Sequence, residues 1–391
     1  NKPDYSNLPL PDYSYDDYWY LDENTIQRMK PLSGPITIKQ HQVGHPRSCV
    51  VSFSQGCINR CDFCHIASLT RNYREHGHPK TPWLRCKPLE RIIKEFREVK
   101  RHNPNMEFIV FMDNNFAAHP TATLKGLAKF MRKEIQLPFY CMATPNALNE
   151  RKLQHMIDAG LQELNVGVES NAAINRKYYN RDIDDSVVLE AANLVNRHKD
   201  RVHPFYDFLI FNPAESESDV LETIRLTRQL PPPFDLVTHH LTVAPTLPLH
   251  ETLLNEVGRL PRSDEKLYES NWHDADPREY LDYPAFFVNL LMEWMAGPHT
   301  EQMIGRLPRR LDDFRKHTLG KQIRTGHPRL RRLLNDNDIT DTLDWLLNSE
   351  VCTLLSEQKQ LLLRMHDALP PVLYTNQIAD YQTKPAKQLM N

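Results

Sequence analysis

The sequence has almost no net charge: 48 Lys and Arg stand against 50 Asp and Glu, a formal charge of −2 over 391 residues. No global attraction to nucleic acid or to an anionic membrane follows. It also lacks a long apolar run. The longest, Ala285 to Ala296, is broken by Asn289 and Glu293 and falls well short of the ~20 residues that cross a bilayer. Cysteine is scarce too. Seven in so long a chain are too few for a disulfide scaffold, and the odd number leaves one unpaired, which favours a reducing, cytoplasmic setting. No charged-then-apolar leader follows Asn1, so no signal peptide is read, and a chain without an initiating Met is expected to have lost its natural start. There is no internal repeat. What remains, 40% hydrophobic and 25% charged residues, is the composition of a soluble globular chain of roughly two domains on the usual ~150-residue scale.

Residues 1–46 are rich in Tyr, Asp and Pro without helical or alternating periodicity, and read as an extended arm or linker. From Cys49 the pattern changes. Apolar runs at CVVSF, FIVFM (108–112), LPFYCMA (137–143), LNVGV (164–168), PFYDFLIF (204–211) and DLVTHHLTV (235–243) read as six buried strands. Five amphipathic helices alternate with them, the first marked by Leu89, Ile92, Ile93 and Phe96 on one face. Continuous rather than alternating apolar strands, separated by crossover helices, predict a parallel sheet covered by helices. The fold class is therefore α/β: a partial or full parallel (β/α) TIM-like barrel over 47–255, followed by a mostly helical region over 256–391.

Three of the seven cysteines need their own explanation. Cys57, Cys61 and Cys64 form CxxxCxxC on the loop after the first strand. Three thiolates on one short loop suit one face of a 4Fe-4S cube, leaving one iron without a protein ligand; soft thiolates favour iron-sulfur or zinc. A structural zinc would want a fourth ligand, and His65, adjacent to Cys64, is poorly placed to join it. An open metal position at a strand's C-terminal end is where barrel enzymes keep their chemistry.

This loop resembles that of the radical S-adenosylmethionine (radical SAM) superfamily, whose CxxxCxxC carries an aromatic before the last cysteine, here Phe63. The resemblance implies that Cys57, Cys61 and Cys64 bind a 4Fe-4S cluster, that its free iron chelates S-adenosylmethionine (SAM), and that reductive cleavage yields a 5′-deoxyadenosyl radical. Within the superfamily the sequence is most similar to the cobalamin-associated branch. FSQGCINRCDFC resembles its "RGCPxxCxFC" loop, with Gln55 in place of Arg, and TPWLRCKPLERIIKEF the lead into its first helix. FIVFMDNNF resembles its "DDxF" strand end, with Asn114 at the second acidic position, and MIDAGLQELNVGVES its "AGCxxxxxGxES" element. FLIFNPAESESD resembles "GxPxET" with Asn212 for Gly, and APTLPL "PGTPL" with Thr246 for Gly.

The secondary positions also have a direct physical reading. Gly167 allows close approach of a ligand, and Glu169 and Ser170 offer a carboxylate and a hydroxyl suited to a ribose diol; the alternative is a helix N-cap pair. Asp113 and Asn114 follow a strand and either face SAM or substrate or form a polar turn. Phe63 packs near the adenine, shields the cluster, or simply fills the loop. Cys86, Cys141 and Cys352 have no partner at ligand spacing and suit structural roles.

Two features complicate the branch assignment. The DxHxxG cobalamin motif is absent, so the chain is either a fragment whose cobalamin domain was removed or a lineage without it. A Lys- and Arg-rich run spans 306–332; a solvated helical face is favoured over a site for phosphate or RNA, since few aromatics interleave it. The expected activity is hydrogen abstraction from an unactivated carbon of a small-molecule or peptide substrate, ending in methyl transfer (a transferase) with cobalamin. An electron donor such as flavodoxin or ferredoxin is expected, and nucleic acid and a membrane span are not. The alternatives are a cobalamin-independent radical oxidoreductase or rearrangement enzyme, and a non-enzymatic iron-sulfur or zinc module.

Overall fold

The computed structural model describes residues 8–14, 19–22, 25–28, 48–257, 283–296 and 341. Two short strands, β1 (Trp19–Asp22) and β2 (Thr25–Arg28), pair antiparallel within the N-terminal arm. Ahead of them the arm is fastened to the body, where the Arg91 guanidinium donates to the carbonyls of Leu8 and Pro9 at 2.6 Å each.

Strand β3 (Ser48–Val51) opens the body, and a small antiparallel pair, β4 (Ser54–Gly56) with β5 (Leu84–Cys86), brackets helix α1 (His65–Glu75). The chain then alternates: α2 (Leu89–His102), β6 (Phe108–Phe111), α3 (Thr121–Phe130), β7 (Phe139–Ala143), α4 (Glu150–Ala159) and β8 (Leu161–Glu169). Helices α5 (Ala172–Lys177) and α6 (Asp185–Asn196) lead to β9 (His203–Ile210), and α7 (Glu217–Arg228) leads to β10 (Asp235–His240). Helix α8 (Pro248–Val257) follows directly, and α9 (Tyr283–Met295) closes the described chain.

Strands β3, β6, β7, β8, β9 and β10 form one parallel sheet in their order along the chain, with β3 and β10 at its edges. This is the predicted α/β class, realised as an open six-stranded sheet. All four residues of β6 are buried, as expected of a parallel strand covered on both faces. Register fixes which residues share a face. Val50, Val110, Tyr140 and Glu163 lie side by side, as do Met142, Asn165, Phe205 and Asp235, and Gly167, Asp207 and Val237. The alternate residues meet the helices: Phe111 packs its ring 5.6 Å from Phe53, 5.8 Å from Phe96 of α2 and 4.9 Å from Phe139. We call these the inner face and the helix face.

Local chemistry sets the helix ends. Helix α4 starts where the Asn149 side chain accepts from Lys152 N–H and stops at Gly160, whose φ of +110° only glycine adopts without strain. Ser216 and Asp219 form a reciprocal capping box on α7. On α2, Ile92, Phe96 and Val99 are buried, and the buried Glu95 is neutralised by Lys87 and Arg91 at 2.7 Å each.

Helices α1, α5 and α8 go beyond the five expected. Helix α1 buries only Ala67 and Thr70, too thin a stripe to read as periodicity, and α5 is six residues long. The last strand ends at His240, three residues early, and Leu241 and Val243 instead join a cluster with Tyr178, Tyr179 and Leu249. Helix α9 contains the expected 286–295 segment; Asn289 accepts from Phe211 N–H at 2.6 Å, and Glu293 pairs with His240 at 3.0 Å. The expected helix over 341–365 beyond Asp341, the basic run 306–332 and Cys352 lie outside the described residues. No helix among the described residues is long and apolar enough to cross a membrane.

A buried polar knot at the end of β6 ties the sheet to the loop after β3. Asp113, fully buried, accepts from Phe53 N–H at 3.0 Å and Ser54 Oγ at 2.5 Å, and pairs with His119 at 3.0 Å. Burial alone would lower the His119 pKa, but contacts with Asp113 and Cys86 hold it up to about 9. A folded value above the usual ~6.5 means the pair stabilises in full below that pH and progressively less up to about 9. Urea unfolding across this window is expected to show stability falling with pH in the wild type. Asp113→Asn should flatten that slope; an unchanged slope would count against the pair as its source.

Candidate cofactor site at the C-terminal strand ends

The cysteine loop leaves the sheet through a turn that needs glycine. Gly56 has φ +91°, and a Cβ there would lie 2.0 Å from the Trp83 carbonyl oxygen. The next residue, Cys57, donates its N–H to that same oxygen at 2.9 Å. At the far end Cys64 is the N-cap of α1, its N–H donating to the Cys61 carbonyl at 3.1 Å. A thiolate there would sit at the positive end of a helix dipole. Between them the loop is pinned to distant segments. Asp62 N–H donates to the Tyr179 carbonyl at 3.0 Å, the Asp62 carbonyl accepts from Leu249 N–H at 3.3 Å, and the Phe63 and Tyr179 rings meet edge to face at 5.1 Å.

Arg181 links this loop to the sheet. Its Nη1 lies 3.6 Å from Cys61 Sγ and 3.9 Å from Glu169 Oε1, its Nη2 donates to the Gly167 carbonyl, and its Nε is buried with no partner among the described residues. Glu169 ends β8 at φ +73° beside a bulge, a left-handed conformation that costs a non-glycine residue energy and recurs at functional sites. Its Oε1 sits 2.6 Å from where a Cβ on Gly167 would be, so Gly167 makes room for the carboxylate.

Electrostatically the site is poised between burial and charge. Burial pushes the Cys61 thiol up to about 11 against the pull of Arg181, and raises Cys57 as well; the charge of Cys64 is felt at both. Burial also raises Glu169, with Arg181 opposing it. Among the described residues no three His, Cys, Asp or Glu side chains close on a point that one metal ion could fill. Three soft thiol donors on one loop are the ligand type that iron-sulfur clusters and zinc favour.

The structure brings Cys57, Cys61, Cys64, Phe63, Gly167 and Glu169 to one edge of the sheet, and leaves Asn114 beside the loop, its Nδ2 3.5 Å from the Gly56 carbonyl. Asp113 and Ser170 have other tasks. Asp113 is consumed by the knot described above. Ser170 Oγ turns under α7, donating to Glu215 at 3.0 Å and meeting Thr223 at the same distance; burial pushes Glu215 up to about 8. The N-cap role considered for this segment falls to Asn171, which caps α5. Sequence reading missed Arg181, since the second of two Arg within NRKYYNRD carries no periodic signal. It also missed Asp207 and His239, polar residues inside strands read only as apolar runs.

An open parallel α/β sheet with a three-cysteine loop at the C-terminal ends of its strands is the arrangement the sequence resemblance predicts. Residues 51–227 match the model of the radical SAM superfamily. Over those residues the chain carries a radical SAM domain, the domain of a superfamily that works with a 4Fe-4S cluster and SAM. Among solved structures it is similar to the radical SAM methyltransferase TsrM from Kitasatospora setae, with cobalamin and a [4Fe-4S] cluster bound, at 14% identity and TM-score 0.43, covering 55% of this chain and 38% of that one. It is similar to the cobalamin-dependent radical enzyme OxsB at 15% identity and TM-score 0.48, covering 89% of this chain and 55% of that one. The radical SAM coproporphyrinogen III oxidase HemN from Escherichia coli is matched at 14% identity and TM-score 0.39, over 52% of this chain and 46% of that one. The chain thus spans less than two thirds of each of these proteins. No curated protein matches the sequence.

Proposed function

We propose that this enzyme binds a 4Fe-4S cluster through Cys57, Cys61 and Cys64 and SAM through the adjoining Gly167–Glu169 edge and Arg181, and uses them to abstract hydrogen from an unactivated carbon. The observation that carries the reading is the Arg181 bridge, which sets a cation between Cys61 and Glu169. When bound, the cluster supplies the electron that cleaves SAM. The chain's own residues do the rest. Arg181 offers guanidinium N–H groups for the carboxylate of SAM, and Glu169 offers acceptor oxygens for its hydroxyls. Phe63 and Tyr179 wall one side of the loop, and Asn114 steadies the Gly56 turn.

The proposed division is an arm over 1–46, the radical SAM barrel over 47–255 and a helical region over 256–391. By branch resemblance the outcome is methyl transfer with cobalamin, with electrons from a flavodoxin or ferredoxin. The anaerobically reconstituted, reduced protein is expected to release 5′-deoxyadenosine from SAM, and S-adenosylhomocysteine as well once substrate and cobalamin are supplied. Failure to form 5′-deoxyadenosine although SAM binds would overturn the radical reading; 5′-deoxyadenosine without S-adenosylhomocysteine would overturn methyl transfer alone.

A further inference from the structure

The inner face of the sheet is split in character. Across β3, β6 and β7 it presents Val50, Phe108, Val110, Tyr140 and Met142, which pack as an apolar cluster. Across β8, β9 and β10 it presents Asn165, Asp207 and His239, with Glu163 and the Asp235–His203 pair farther down the strands. Residues buried inside a sheet usually arrive satisfied, and two of these carry a polar atom that does not. Asn165 is 2% exposed with its Nδ2 unpartnered among the described residues, and Asp207 Oδ1 is likewise buried without a partner. The other oxygen, Oδ2, lies 3.7 Å from His239 Nε2.

Two observations place this row against the SAM edge. Asp207 is the register partner of Gly167, whose carbonyl takes the Arg181 guanidinium. The Glu169 carboxylate fills the space above Gly167 and feels the charges of both Asp207 and His239. A group held at Asp207 would therefore lie one strand away from the proposed SAM contacts, where the hydrogen donor of the substrate must be.

Charge decides what that group is. A second ligand carboxylate would meet Asp207 and Glu169 together, while the Arg181 guanidinium at this edge is the group proposed to hold the carboxylate of SAM. A ligand ammonium would instead fill the vacant acceptor on Asp207, and Asn165 would be left to donate to an uncharged oxygen of the same molecule. We propose that Asp207, flanked by His239 and Asn165, reads a protonated amine on the substrate, with the partly exposed Val50 and Met142 of the apolar β3–β6–β7 half meeting the rest of the molecule. This rests on the radical SAM reading for its purpose, though not for its test.

The test uses two small probes, n-butylammonium and butyrate, with binding to the full chain followed by saturation-transfer NMR and 5′-deoxyadenosine formation measured separately. The ammonium is expected to bind at least about 10-fold more tightly than the carboxylate. Asp207→Asn should erase that preference, whereas His239→Ala, by removing the ring that shares Asp207 Oδ2, should strengthen ammonium binding. A merely structural role would move both variants the same way, and thermal unfolding checks that each is folded. Equal binding of the two probes, no binding of either, or variants shifting affinity in one direction would overturn the proposal. If the ammonium binds and 5′-deoxyadenosine never forms, the radical reading fails alone; the converse sinks the amine proposal alone.

Discussion

Cys61→Ala is expected to abolish the brown charge-transfer absorption of the reconstituted protein, reduce bound iron from about four atoms per chain to background, and eliminate SAM cleavage. Cys61 is the most buried of the three loop cysteines and the one Arg181 addresses at 3.6 Å. Two remaining thiolates cannot hold three irons of a cube. Trimming one sulfur from a buried site should cost the fold only about 1 kcal/mol, so the loss will not be a folding artefact. Cys141→Ala supplies the control. That residue is fully buried in β7 on the helix face, its thiol pushed well up by burial, and its removal should cost similar stability while iron and cleavage persist. Iron retained by Cys61→Ala would refute the ligand assignment.

Arg181→Met should separate cluster binding from SAM binding. The side chain keeps an unbranched apolar stem but loses the guanidinium, so the three thiolates stay in place and iron content should stay near that of the wild type. What disappears is a desolvated, charge-assisted contact, whose loss typically costs about 2–5 kcal/mol, or roughly 30-fold to several thousand-fold in affinity. Titration calorimetry with SAM is expected to show weakening in that range. Arg181→Lys should recover part of the loss, because charge returns without the planar fork. Unchanged SAM affinity in Arg181→Met would remove Arg181 from the site.

Much of this was legible in the residues. FIVF announces a buried parallel strand because every position is apolar, LNVGV because four of its five are apolar or glycine, and the cysteine spacing is informative because three ligands to one cluster can lie on one loop. What escaped was direction. Asp113 and Ser170 stand at strand ends, where a ligand contact is plausible. Only the fold shows that Asp113 faces back into the β3–β6 junction and that Ser170 lies under α7. Arg181 escaped because its meaning comes from α5, a helix too short for periodicity, which swings it back onto Cys61. The β4–β5 pair escaped because SQG and LRC are too short and polar to alternate.

The peptide unit at Asp62 carries a consequence for biogenesis. Its N–H is held by Tyr179 and its carbonyl by Leu249, segments that leave the ribosome long after the cysteines do. Contacts so distant along the chain form late, after their loop-closure entropy has been met. The cysteine loop therefore takes its final shape only when the last βα unit, through α8, has docked. Iron delivery belongs after residue 249 has emerged and docked, and a truncation before Leu249 would yield a protein with all three cysteines and no ordered place to keep them.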